Sequence, residues 1–455
     1  MLASKDAPNQ VAQVDVTRSA TFLKRGHFLS YAGLVLFTVV LYARPSEFYP
    51  SALTASLALF VGLLTLTFYL PAQLALEGTP TKWLPEVKLL LLFVMTGALS
   101  IPFANDPSGA WTEFSGVFIR AVVICIVVVN VVRSERRLRG LLFLTIITAL
   151  WLSLGAINDY RLGLMTVEGY RVGGRGSGIF GNSNDMALFL VTVIPVMIAM
   201  LLNQRRTAGK ILFGTGAALV TTGILLTYSR GAFIGLFVSL AFLTWKVGGK
   251  HRVIILVSGL LFLILFLVAA PGGYGLRLAS IFIPSLDPVG SADARRGELF
   301  RSLYVALRHP LFGIGMGNYV STMSYDGRVT HNSYTQVASE MGLAALVCYT
   351  TFIVSPLRKL GQIARETLKA PNSHFHYLAL GLQASLLAYL VCSFFASVAY
   401  LWYVYYLVGY AVCLRRLYES ETGREVVVVK KRTAKKKPGA LHPSVLTDNH
   451  GAVTA

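Results

Sequence analysis

The sequence predicts an all-α polytopic membrane protein with about twelve transmembrane helices, both termini on the cytoplasmic side, and a helical outer loop between spans nine and ten. Three observations predict it. Of 455 residues, 55% are hydrophobic and only 14% charged, with a mean hydropathy of +0.61, which no ordinary soluble domain shows. Apolar runs near the length of a bilayer-crossing helix recur along the chain. The polar connections between them alternate between rich and poor in basic residues.

Taken in order, the chain opens with a polar segment, Met1 to Gly26, that has no apolar core. It predicts no cleavable signal peptide, so the first membrane helix serves as the targeting signal. The apolar runs lie near 28–43, 51–74, 87–103, 114–132, 139–157, 185–203, 210–228, 231–246, 253–270, 335–355, 378–395 and 397–414. Breakers such as Arg44-Pro45-Ser46, Asn105-Asp106-Pro107 and Pro271-Gly272-Gly273 separate them. The expected division is a cytoplasmic N-terminal segment (1–26), spans one to nine (27–270), an outer loop (271–334), spans ten to twelve (335–415) and a basic, disordered cytoplasmic tail (416–455). Cys125, Cys348, Cys392 and Cys413 all fall in apolar runs. They read as small core residues without a disulfide framework or metal-ligand spacing.

Basic residues set the orientation. With the N-terminus cytoplasmic, the inner connections carry Arg133, Arg136, Arg137 and Arg139, then Arg205, Arg206 and Lys210, then Lys246, Lys250 and Arg252, then Arg358, Lys359, Arg365 and Lys369. The formal charge of +20 therefore reflects membrane topology and inner-leaflet attraction, and no folded nucleic-acid reader accompanies it. The outer side holds Arg44, Arg120, Arg161, Arg171, Arg175, Arg230, Arg277, Arg295, Arg296, Arg301, Arg308 and Arg328. All are arginine, the permanently charged residue whose planar fork matches phosphate oxygens. Compositional bias, or lysines drawn to inner-leaflet lipid, would give the same pattern.

Two outer connections are long. In the first, Tyr170-Arg171-Val172-Gly173-Gly174-Arg175-Gly176-Ser177-Gly178 interleaves glycine with arginine, so N–H groups and guanidiniums can converge on an anion. It lacks the Gly-Lys-Ser/Thr ending of a P-loop, and a merely flexible loop would look similar. The second, Pro271 to Thr335, contains Ala292 to His309 with Leu299, Phe300, Leu303, Tyr304 and Leu307 at helical spacing. This predicts an amphipathic helix along the outer interface, capped by Ser291 or Asp293 and stopped by Pro310. Between spans seven and eight the connection Thr227-Tyr228-Ser229-Arg230-Gly231 is so short that Arg230 lies at or within the membrane surface. A charge there reads as functional, or as snorkelling to lipid phosphate.

Thr330-His331-Asn332-Ser333-Tyr334 closes the second loop. These groups suit polar-ligand binding or proton transfer, and equally the capped start of a helix. No ATP motif, nucleophile elbow or His-Glu-x-x-His zinc helix is present, so neither cofactor nor metal is expected. Asp159, Glu168, Asp287, Asp293, Glu298 and Asp326 are scattered, which does not suggest a paired-carboxylate hydrolase. A reaction outside the cytoplasm has no ATP and needs an activated substrate. A lipid diphosphate sugar fits: arginines stabilise the leaving diphosphate, and a neutral His331 takes the proton of an attacking hydroxyl.

Several stretches together carry a family resemblance: Gly181-Asn182-Ser183-Asn184-Asp185-Met186-Ala187, Ser229-Arg230-Gly231-Ala232, Arg295-Arg296-Gly297-Glu298-Leu299, His309-Pro310-Leu311-Phe312-Gly313-Ile314-Gly315, and His331-Asn332-Ser333-Tyr334 with Glu340-Met341-Gly342. In these the chain resembles the O-antigen ligase and polymerase-like membrane proteins. The ligases' His-Asn, nine residues, Gly pattern fits His331, Asn332 and Gly342, departing only at Ala345, and their Arg-x-x-x-Leu pattern fits Arg295 to Leu299. The resemblance implies a metal-independent, inverting glycosyltransferase of the bacterial inner membrane. It would move a glycan from undecaprenyl diphosphate to lipid A-core on the periplasmic side. It implies catalytic roles for His331, as the base or as a diphosphate contact, and for Arg230, and donor diphosphate contacts for Arg230, Arg295 or Arg296, and Asn332. Arg171 and Arg175 join that set from the glycine loop. A polymerase extending lipid-linked glycans, a protein O-glycosylation ligase or, in another class, a lipid or solute transporter are the alternatives.

Overall fold

The computed structural model describes residues 26–165, 171–174, 179–249, 252–253, 257, 290–324, 327–369 and 374–426. These are helical throughout, without a sheet. The helices are α1 (Phe28–Ala43), α2 (Pro45–Phe48), α3 (Ala52–Glu77), α4 (Pro85–Ser100), α5 (Pro107–Glu113), α6 (Ile119–Val131), α7 (Glu135–Arg161) and α8 (Ser183–Leu202). They continue as α9 (Thr207–Leu226), α10 (Arg230–Val247), α11 (Ser291–Arg308), α12 (Asn318–Thr322), α13 (Ser333–Met341), α14 (Leu343–Glu366), α15 (His374–Cys392) and α16 (Trp402–Thr422).

Nine helices among the described residues are long and apolar enough to cross a membrane, making this a multi-pass membrane protein. Of the twelve expected spans, 87–103 corresponds to α4, which has only 16 residues and continues as a tight turn over Ile101–Phe103. The span expected at 253–270 lies essentially outside the described residues. The last, expected at 397–414, is α16, which starts at Trp402 and runs on to Thr422, taking in the start of the expected tail. Arg415 is buried there by Glu86, and Tyr418 donates to Glu366, so polar residues extend the helix where hydropathy stops.

Burial sorts the helices. α8 is 72% buried over its most apolar stretch and α15 67%, while α3 is 17% buried and α9 28%. A helix apolar on all sides is stable either inside a bundle or against lipid, and these values place α8 and α15 in the centre and α3 and α9 at the rim. α16 joins the centre, with every residue from Trp402 to Leu414 buried.

The bundle has two ends. One carries the basic connections and a buried ion network: Glu86, 1% exposed, accepts from Lys359 Nζ at 2.7 Å and Arg415 Nη2 at 2.8 Å. Removing one member of such a set leaves uncompensated buried charge. Glu86→Ala is expected to cost about 3–5 kcal/mol, read as a lowered melting temperature of the purified protein.

The other end carries the long connections. The expected span 335–355 is broken there: Gly342, at φ 88°, separates α13 from α14. A Cβ at Gly342 would lie 2.3 Å from the Leu311 carbonyl oxygen, so this crossing admits only glycine. The amphipathic helix is present as α11, but Gly290 rather than Ser291 or Asp293 occupies its N-cap. Its apolar stripe faces outward, with Phe300 65%, Leu303 46% and Leu307 66% exposed, while Glu298, Ser302, Val305 and Ala306 form the buried face. A stripe left exposed beside a membrane bundle suits an interfacial helix.

Candidate functional site

The site is built on the turn between α9 and α10. Tyr228 in that turn sits at φ 52° and His331 also at φ 52°, a left-handed conformation that is costly for large side chains and gathers at functional sites. The turn is braced from behind. Ser229 Oγ donates to Asn184 Oδ1 at 2.9 Å, and Arg171 Nη2 donates to the same oxygen at 2.8 Å. Arg171 Nε donates to the Thr227 carbonyl at 2.8 Å. Asn184 is itself fixed in the first turn of α8, where Asn182 Oδ1 accepts its N–H.

Arg171 is thus 2% exposed, with two donors spent on the protein. Its geometry is that of a brace for the turn carrying Arg230. Arg171→Ala is expected to lower thermal stability by about 3 kcal/mol, as charge-assisted buried hydrogen bonds do. A variant that melts normally yet fails to bind donor would assign the side chain to the ligand instead. Arg175 lies outside the described residues. The N–H of Gly174 donates to the Phe180 carbonyl at 2.8 Å, so this amide closes the loop on itself instead of facing an anion.

Arg230 is the first residue of α10 and is buried, 8% exposed. The side chain of the N-cap residue, Ser229, does not cap this helix. Its first N–H groups have no intrahelical acceptor, and the positive end of the helix dipole points the same way. Gly231 and Ala232 line a small cavity of about 10 Å³, room for about one water, together with Asn184, Ser229 and Arg295, closed by Cys392 and Phe395. The structure separates the two adjacent arginines of α11. Arg295 is half-buried and lines this cavity; Arg296 is 63% exposed and loosely faces Asp293. Arg301 holds the buried Glu298 at 2.6 Å, which also accepts from the Tyr319 hydroxyl at 2.6 Å.

The His331 segment is clamped by its neighbours. Asn332 Oδ1 accepts from the N–H groups of Tyr334 at 2.9 Å and Thr335 at 3.0 Å, capping α13. Ser333 Oγ donates to the Ala396 carbonyl and accepts from Val398 N–H. Thr330 and Ser397 hydroxyls meet at 2.7 Å, and the Tyr334 hydroxyl donates to the Leu390 carbonyl. The helix-start reading holds at Thr330, Asn332, Ser333 and Tyr334, which secure the backbone; the His331 side chain makes no hydrogen bond to the described residues. Burial pushes the His331 imidazole down to about 4, and the positive charges of Arg295 and Arg328 push the same way. It is neutral near pH 7 and can accept a proton or hydrogen-bond a phosphate.

One carboxylate escaped the sequence reading. Glu340, at the end of α13, is 2% exposed and is pushed up to about 7 by burial, against hydrogen bonds from Gly317 N–H and the Tyr400 hydroxyl and with the nearby charge of Glu113. It ties the glycine turn at 313–317 to the segment beside Ser397. The Glu-Met-Gly motif was visible in sequence, but its partners come from distant connections.

Arg230, Arg295, Arg296, His331 and Asn332 all lie within residues 215–350, which match the family model described as O-antigen ligase. The match spans less than a third of the chain and leaves out Arg171 and Arg175. No curated protein matches the chain. The family agrees with the resemblance read from the motifs, and supports a ligase- or polymerase-like glycosyltransferase acting on lipid-linked glycan.

Proposed function

We propose that the chain is an O-antigen ligase of the bacterial inner membrane, transferring a glycan from undecaprenyl diphosphate to lipid A-core on the periplasmic side. The observation that carries this reading is the position of Arg295. It lines the cavity at the uncapped start of α10 and lies close enough to His331 to depress its pKa. One anion-binding helix start, two arginines and one neutral imidazole then serve a single reaction.

In that reaction the acceptor hydroxyl oxygen attacks the anomeric carbon, and the bond from that carbon to the diphosphate oxygen breaks with inversion. The charge developing on the leaving diphosphate is met by Arg230, Arg295 and the first N–H groups of α10. The acceptor proton passes to Nδ1 or Nε2 of His331. Asn332 contributes by fixing the start of α13, and so the position of His331, more than by contacting phosphate. Arg296 faces outward, so Arg295 takes the diphosphate role between the two; Arg175 remains a further candidate contact. The chemistry described requires neither nucleotide nor metal.

A polymerase extending one lipid-linked glycan with another would use the same machinery. Purified protein given undecaprenyl-diphosphate glycan, with lipid A-core as the added acceptor and no nucleotide, separates them. Acceptor-dependent transfer is expected. Longer lipid-linked chains formed from donor alone would replace the ligase reading with a polymerase, and no product from a donor-binding sample would remove both.

A further inference from the structure

A second feature shares no lining residue with the cavity beside α10. Between α1, α3 and α6, and closed at the site end by Trp402 of α16, runs a groove of about 180 Å³ lined by Leu41, Gly62, Leu63 and Leu66 among other apolar residues. Among the described residues of its wall, the one that is charged is Arg120. Leu41 and Trp402 stand at the site end of their helices. Leu66 is fourteen residues below the start of α3, about 21 Å at the helical rise of 1.5 Å per residue. The groove therefore runs from the site end to about the middle of the bilayer.

Arg120 sits in Ile119-Arg120-Ala121-Val122-Val123-Ile124, an apolar run. It is exposed, and it forms no hydrogen bond or ion pair with the described residues. A charge facing hydrocarbon in this way is expensive. The helix is shaped to put it there. Immediately before it, over Phe114–Phe118, the helix opens into a widened turn in which Gly116 leaves helical geometry at ψ −106°. The extra residue of such a turn rotates everything after it by about 100° about the axis. With a regular turn, Arg120 would face another direction.

We propose that this groove seats the hydrocarbon chain of a phosphate-bearing membrane lipid, with Arg120 gripping its phosphate. The apolar wall excludes a sugar and admits a chain. The guanidinium supplies two parallel donors for phosphate oxygens, strengthened by the low dielectric of the site. The groove and the cavity beside α10 share no lining residue, so the occupant is a second lipid and not the diphosphate donor. The proposal stands whether the catalytic centre is a ligase or a polymerase.

The test uses the full-length protein, delipidated in detergent, with phosphatidylglycerol and diacylglycerol of matched chains, the second lacking the phosphate, titrated in native mass spectrometry. Wild type is expected to retain phosphatidylglycerol about tenfold more strongly than diacylglycerol, the gain of one good charged contact. Arg120→Gln should bring phosphatidylglycerol down to the diacylglycerol level, and Leu63→Trp, which fills the groove, should displace both. Undecaprenyl diphosphate binding should persist in both variants. Unchanged phosphatidylglycerol retention in Arg120→Gln, or equal retention of the two lipids by wild type, would overturn the proposal. So would loss of undecaprenyl diphosphate binding in Arg120→Gln, which would place Arg120 in the donor site.

Discussion

Arg230→Ala is expected to slow glycan transfer by about 10²–10³-fold, the loss typical of removing one group that meets charge developing in the transition state. The effect should fall mainly on kcat, because the diphosphate becomes more negative as the bond to the sugar breaks. Arg230→Lys keeps the charge but not the planar fork, so it should recover only part of the rate. Because Arg230 is buried at the start of α10, the melting temperature of each variant has to be followed alongside. A variant that melts like wild type and transfers normally would remove Arg230 from the mechanism.

His331→Ala is expected to abolish transfer while leaving donor binding within a few-fold of wild type, since a general base acts on the proton and not on the diphosphate. The pH profile gives the same role a second test. A base works only when unprotonated, so activity should fail as pH drops through its pKa. With His331 at about 4 in the empty site, the acid limb of kcat/KM should lie near pH 4, with a flat profile from there to neutrality for this group. Arg295 and Arg328 help hold the value down. Arg295→Gln should therefore move the acid limb upward, with the remaining activity lower. Bound diphosphate offsets the same charges, so the limb of kcat, which reports the loaded enzyme, should lie above that of kcat/KM. An acid limb of kcat/KM at the ordinary histidine value near 6.5 would contradict the buried, arginine-flanked setting of His331.

Much of this was legible in the sequence, and the rest was not for identifiable reasons. Hydropathy located α1, α3 and α7 to α10, because a span facing lipid on one side and core on the other is apolar on both. It could not locate the break at Gly342, which exists because the Leu311 carbonyl crosses there. The apolar residues of α11 were found by their spacing, but which face they take depends on α13, against which Ser302 bonds to Thr335. At the site, residue type pointed to Arg230 and His331. Only packing distinguishes Arg295 from Arg296, or shows that Arg171 and Asn332 spend their hydrogen bonds on the protein backbone. The brace through Asn184 joins the stretch leading into α8 to the turn before α10, 45 residues further on, a relation that no local pattern contains.

The most direct test of the central claim is binding of undecaprenyl diphosphate, without glycan or acceptor, to the full-length protein. Wild type would be compared with Arg230→Ala, Arg295→Ala and His331→Ala, each checked for an unchanged melting temperature. The account predicts that either arginine variant weakens binding by about ten- to a hundredfold, as loss of a buried charge-assisted contact does, while His331→Ala binds nearly as wild type. Binding that survives loss of both arginines would contradict it, and would place the diphosphate elsewhere in the molecule.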